Sequence, residues 1–210
     1  MAPNLFHPGI LQETAIVQPN IIDNVYAENR AQNTIHLFSG PDFGSTGHPT
    51  TRSCLNCLCA LLAHYSPDNV LDAGTGNAIL AIAAAFLGVE KIIAVDILPE
   101  VLNTARQNVI LNNVQKKVCL CCADAFLMRG RYNLIIANLN PGCFEQLDSF
   151  LEVRLIKDGY SIVSGLSGFE RDRIFSRLVT NGPFIVHDAL WDSGWTTFLF
   201  QKTCGSSSTK

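Results

Sequence analysis

The stretch NVLDAGTGNAILAIAAAFLG, residues Asn69–Gly88, decides the fold. It starts as a short apolar run of strand length and passes Asp72 and two glycines. It then continues as an apolar helix, with Gly88 as its stop. Gly74 and Gly76 carry no β-carbon, so the chain can turn sharply there and a ligand can approach the backbone closely. The helix that follows presents unsatisfied N–H groups and a partial positive end at the same corner.

Outward from this corner the pattern repeats. KIIAVDI reads as the next strand, and Pro99 opens the helix PEVLNTARQNVILNN, where proline suits the first turn. KVCLCCAD is a strand and YNLIIANL a very apolar one, followed by a helix from Cys143 to about Val153. YSIVSGL is a strand and ERDRIFSRLVTN an amphipathic helix. PFIVHDAL and TTFLFQK flank WDSGW, a hairpin with a short polar turn. Upstream, a helix runs from Thr50 to about Tyr65 behind a Pro-Thr-Thr cap signal. Strand–helix alternation with continuously apolar strands predicts an α/β fold: a doubly wound, mostly parallel sheet, seven-stranded, with a C-terminal antiparallel hairpin.

Residues 1–45 are expected to be an irregular N-terminal segment broken by Pro3, Pro8, Pro19 and Pro41, with TAIVQ and TIHLF as short strands. They do not read as a complete substrate-binding domain. Residues 46–203 form the expected catalytic domain, and 204–210 a disordered tail. The chain has 210 residues, 48% hydrophobic and 16% charged, with net charge −3. That composition favours a buried core and argues against a nucleic-acid partner. No apolar run of about 18 residues predicts a membrane span, and the N-terminus lacks the pattern of a secretory signal, so a cytoplasmic protein is expected. Its eight cysteines are then thiols. Cys54, Cys57 and Cys59 fall on a helical pattern, and Cys119, Cys121 and Cys122 on a strand. Neither cluster has the turns of a zinc knuckle, so both are expected to be core residues and no metal is expected.

In such a sheet, ligands bind beyond the carboxyl ends of the strands, where strand order reverses. Asp96 ends the strand after the glycine corner, and a carboxylate there can accept from both hydroxyls of an adenosine ribose. A nicotinamide or flavin site normally adds a third glycine, but Ile79 stands there. Asp72, two residues before Gly74, is awkward beside a pyrophosphate and suits an ammonium group. S-adenosyl-L-methionine has an amino-acid moiety and no phosphate, so it is the expected cofactor. Thr75, between the glycines, and Ile97, after Asp96, belong to the same expected set. Asp124 is placed either to meet the adenine amino group or to cap a helix. Asn138 emerges from the fourth apolar strand at the same edge. Its amide oxygen can accept an amine N–H and help align a nitrogen lone pair for methyl transfer, so it is the catalytic candidate.

Together FGSTGHPTT, VLDAGTGNAILAIAAAFLG, IIAVDILPEVLNTARQNVILN and LIIANL resemble the PrmA family. These are bacterial methyltransferases of a stalk protein in the large ribosomal subunit, with the Rossmann-like class I fold. The resemblance covers roughly residues 38–202 and implies cofactor contacts at Thr51, Gly74, Asp96 and Asn138. Thr50 and Thr51 read physically as caps; the resemblance implies that Thr51 also meets the cofactor. His48 matches the family's histidine and also reads as a structural loop residue. The family usually has FGTGTHPTT where Ser45, Thr46 and Gly47 reorder the loop here. After Asn138 it usually has small apolar residues, where this chain has Leu139-Asn140-Pro141. It also carries a separate substrate-gripping domain. The expected activity is methyl transfer to nitrogen of a protein, ribosomal or similar. The alternatives are a small-molecule acceptor and a non-catalytic S-adenosylmethionine-binding protein or partner subunit. A nicotinamide-dependent reductase is disfavoured by Ile79 and by the lack of a Tyr-Lys pair.

Overall fold

The computed structural model describes residues 13–16, 34–38 and 47–203. The tail 204–210 and residues 39–46, which include Phe43–Thr46 of FGSTGHPTT, lie outside the described residues. A seven-stranded sheet is built from β3 (Val70–Ala73), β4 (Ile92–Asp96), β5 (Val118–Cys122), β6 (Tyr132–Asn138), β7 (Leu155–Leu166), β8 (Phe184–Asp192) and β9 (Trp195–Lys202). Its order is β5-β4-β3-β6-β7-β9-β8. The β3–β4, β4–β5, β3–β6 and β6–β7 pairs are parallel, and β9 pairs antiparallel with both β7 and β8. The expected doubly wound sheet with a C-terminal antiparallel hairpin is therefore the observed one.

Burial on both faces explains the apolar strands. Leu134 and Ile136 of β6 pack into one core with α1 (Pro49–Leu62), α2 (Ile79–Phe86) and α3 (Pro99–Leu111). Ile135 and Ala137 pack into a second core with α4 (Leu147–Arg154) and α5 (Gly168–Phe175). Helices thus cover both sides of the sheet, as parallel strands require. The hairpin turn is Ser193-Gly194, both at positive φ (50° and 89°), the twist-matched two-residue geometry.

The two short upstream strands also form. β1 (Glu13–Ile16) and β2 (Thr34–Leu37) pair antiparallel as a separate ribbon. Ile35 and Leu37 of β2 enter the first core. The other edge of β2 is held by α3. Asn112 Oδ1 accepts from His36 N at 2.9 Å and its Nδ2 donates to His36 O at 2.7 Å. Asn108 Oδ1 accepts from Phe38 N at 2.7 Å.

Several expectations are corrected. α4 starts at Leu147, because Pro141–Gln146 form turns around Gly142 at φ 92°. β7 begins at Leu155 rather than Tyr160. Residues 156–159 bulge out of register with β6, with Asp158 at φ 62°, and this hides the strand's first residues from a periodicity reading. The amphipathic helix begins at Gly168 and loosens into a π turn over Ser176–Thr180. Cys54, Cys57 and Cys59 are buried as expected, but Cys119 and Cys122 are exposed and Cys121 is half-buried. β5 is an edge strand, so it lacks a neighbour on one side.

Candidate active site

The sheet order reverses between β3 and β6, and there the expected residues meet. The glycine corner is held by the neighbouring strand. Gly74 N and Thr75 N both donate to Val95 O, at 2.9 and 2.8 Å, and Gly76 N donates to Asp96 Oδ2 at 3.1 Å. Gly74 sits at φ +73°, and a β-carbon on it would lie 2.7 Å from Leu139 Cδ2. Glycine here is a requirement of both conformation and space.

The amides at the start of α2 are turned inward rather than toward the cleft. Ile79 N donates to Asn77 Oδ1 at 3.1 Å, and Ala81 N donates to the Asp72 carboxylate. Asp72 itself is buried beneath the corner, 1% exposed, and does not line the cleft. Its Oδ2 accepts from the Thr75 hydroxyl at 2.6 Å. The carboxylate expected to meet an ammonium group thus fixes Thr75, which does line the cleft. Burial pushes its pKa up to about 6, although the Thr75 and Ala81 hydrogen bonds pull it down.

A raised carboxylate pKa means the folded chain holds this proton more tightly than the unfolded one. Stability is therefore lost as pH rises from the ordinary value of 3.8 to about 6. The loss is on the order of 3 kcal/mol, since each pKa unit is worth about 1.4 kcal/mol. Asp72→Asn keeps an acceptor for Thr75 and removes the titration. Urea unfolding of both chains at pH 4 and pH 7 should show the wild type losing stability relative to the variant. An equal pH response in both would rule this out.

The other candidates share one cleft of about 880 Å³. Thr51, Gly74, Thr75, Gly76, Asp96, Ile97, Asp124 and Asn138 all line it. Asp96 is half-buried at the end of β4, and its Oδ1 accepts from Leu98 N at 3.1 Å. Asp124 caps a short 3-10 turn, accepting from Phe126 N at 2.9 Å, while its residue faces the cleft. Cap and lining roles coexist there.

At the opposite end His48, not Thr50 or Thr51, is the cap of α1. Its Nδ1 accepts from Thr50 N at 3.3 Å and lies 2.8 Å from Thr50 Oγ1. The His48 ring stands 5.8 Å from that of Trp195 at the start of β9. Arg52 of α1 pairs with Asp192 at 2.7 Å and donates to Gly47 O, which fastens the hairpin to this rim.

Sequence reasoning missed Gly165 and Leu139. Gly165, in β7 at φ +87°, lets the Leu139 carbonyl lie against the strand, and Leu139 N donates to Ser164 O at 3.2 Å. The loop after Asn138 is thereby pressed onto the cleft floor. A glycine inside a strand pattern was the available signal.

This strand order, with a half-exposed acid one strand over from a glycine corner, defines the class I methyltransferase fold. Residues 1–203 match the family model described as ribosomal protein L11 methyltransferase (PrmA), and the chain belongs to that family. It is 30% identical over 203 residues to the ribosomal protein L11 methyltransferase of Staphylococcus epidermidis, covering 96% of this chain and 64% of that one. It is 37% identical over 141 residues to that of Geobacter sulfurreducens, covering 67% of this chain and 46% of that one. The chain thus spans between about half and two thirds of the length of these relatives. The crystal structure of a ribosomal protein L11 methylase from Lactobacillus delbrueckii subsp. bulgaricus superposes with a TM-score of 0.71 at 29% identity, covering 80% of this chain and 85% of that one.

Proposed function

We propose that this chain is the catalytic part of an S-adenosyl-L-methionine-dependent methyltransferase acting on nitrogen of a protein, with ribosomal protein L11 as the first substrate to test. The observation that carries this is the convergence of the Gly74–Gly76 corner, Asp96 and Asn138 on one cleft at the strand-order reversal. The residues fit the cofactor. Gly74 and Gly76 both line the cleft at positive φ, 73° and 56°, so the corner turns there with no side chain of its own. Asp96 uses one lone pair on each oxygen for backbone amides and keeps the others for ribose hydroxyls. Ile97 and Asp124 would border the adenine end of the bound cofactor, and Thr75 and Thr51 its amino-acid end.

When bound, the cofactor supplies an electrophilic sulfonium methyl. Asn138 holds the acceptor in line, its amide oxygen accepting an amine N–H so that the lone pair points along the transfer axis. Transfer would leave S-adenosylhomocysteine as the departing thioether, and the methylated ammonium would give its proton to solvent. The amine must arrive unprotonated, so turnover should rise with pH toward and above neutrality. Among the described residues no helix is long and apolar enough to cross a membrane. A cytoplasmic site, alongside the ribosome, fits the substrate proposed.

A melting scan with S-adenosylhomocysteine at about a hundred times its Kd should raise Tm by about 5–10 °C. The nicotinamide cofactor should not. With methyl-labelled cofactor and purified L11, label should enter the protein. No melting shift overturns the cofactor, label confined to extracted metabolites overturns the protein acceptor, and binding without any transfer leaves only a cofactor-binding role.

A further inference from the structure

Hydrogen bonds to β3 and β4 shape the glycine corner, and Asn108 of α3, which is fully buried, adds one from a third element. Its Nδ2 donates to the carbonyl of Asn77 at 2.9 Å, at the end of the corner. Its Oδ1 accepts from Phe38 N at 2.7 Å, at the end of β2. One amide therefore bridges the corner and the N-terminal ribbon.

We infer that Asn108 is a positioning residue for the cofactor corner and couples it to the ribbon, an inference that rests on the cofactor reading above. Asn77 is 5% exposed, so its carbonyl needs a protein partner. The residue after it, Ala78, is held at φ 68°, a conformation that L side chains adopt only when surroundings enforce it. Asn108 supplies that enforcement from outside the corner. The same side chain cannot turn away from one partner without weakening the other, because a single amide holds Asn77 O through Nδ2 and Phe38 through Oδ1, with Nδ2 also reaching Phe38 O at 3.5 Å. Whatever orders β2 therefore steadies the corner, and by reciprocity a ligand that steadies the corner protects β2. Asn112, one turn further on, holds His36 and the Asn108 carbonyl among the described residues, and so anchors the ribbon without reaching the corner.

The test uses the full chain and S-adenosylhomocysteine. In the wild type, ligand binding should slow exchange of the Phe38 amide at least threefold, read by site-resolved hydrogen exchange. Asn108→Asp retains the acceptor for Phe38 N and loses the donor to Asn77 O, together with the longer one to Phe38 O. It should bind about tenfold more weakly by calorimetry and lose the ligand-dependent protection of Phe38. Asn112→Ala should weaken the ribbon, with faster exchange at His36, while binding stays within about twofold of wild type. An Asn108→Asp chain of native circular dichroism that binds within twofold of wild type would overturn the inference. So would a Phe38 amide in the wild type that ignores the ligand, a measurement that needs no variant to fold. Failure of the wild type to bind overturns the cofactor reading itself and this inference with it.

Discussion

Replacing Asp96 by alanine is expected to weaken S-adenosylhomocysteine binding about a hundredfold, or about 2.7 kcal/mol, in a calorimetric titration. The carboxylate serves two purposes at once. Its oxygens hold the amides of Gly76 and Leu98, at 3.1 Å each, and so set the corner and the start of α3. The residue also lines a cleft of nucleoside size. A hydrogen bond to a charged acceptor contributes about 1.5–3 kcal/mol, so losing two ribose hydroxyls and the Gly76 anchor makes a hundredfold a modest expectation. Asp96→Asn keeps one acceptor but turns its NH2 toward one of the backbone donors. It should bind between the two, about tenfold below wild type, with a lower Tm than its chemistry at the ribose alone would suggest. If the alanine chain stayed within threefold of wild type, Asp96 would serve the corner only and the nucleoside would have to lie elsewhere.

The same residue shows what a single sequence makes legible. Gly74, Gly76, Asp96 and Asn138 each stand where an apolar strand gives way to polar chain, and the parallel sheet brings all such points to one edge. Their convergence follows from periodicity and topology. Depth does not. Asp72 sits at the same strand end, but its side chain shares the face of Val70, beneath α2, and meets Thr75 instead of the cleft. Partners across long stretches of chain are equally hidden. Asn108 and Asn112 are spaced as one helical stripe and look like a solvated face, yet they hold a strand 70 or more residues away. His48 caps α1 through a ring nitrogen, where Thr50 and Thr51 offered the commoner hydroxyl signal. The strand cysteines misled because composition cannot say that β5 lies at an edge.

Gly165→Ala is expected to cut turnover a hundredfold or more while cofactor affinity falls by less than about tenfold. A β-carbon at position 165 would stand 1.9 Å from the Leu139 carbonyl oxygen and 3.0 Å from its carbon. Both atoms are backbone, so no rotamer change relieves the overlap. The φ of +87° adds strain, on the order of 1–2 kcal/mol for a residue with a β-carbon. Relief requires Leu139 to lift from β7, breaking its bond to Ser164 O, and Asn138 is the residue directly before it. Asp96 ends β4, on the far side of β3 from this contact, so the ribose end moves less than the acceptor end, although Leu139 also packs against Gly74. A misplacement of the acceptor by about an ångström is enough to cost a hundredfold in an in-line transfer. The variant's Tm should fall by about 5–10 °C. Gly168→Ala separates strain from displacement. Gly168 also has positive φ, +43°, but nothing lies within 4 Å of its added carbon. That chain should lose a few degrees of Tm and keep its turnover. Near-wild-type turnover in Gly165→Ala would mean that the loop after Asn138 can leave β7 freely, and that Asn138 does not set the line of attack.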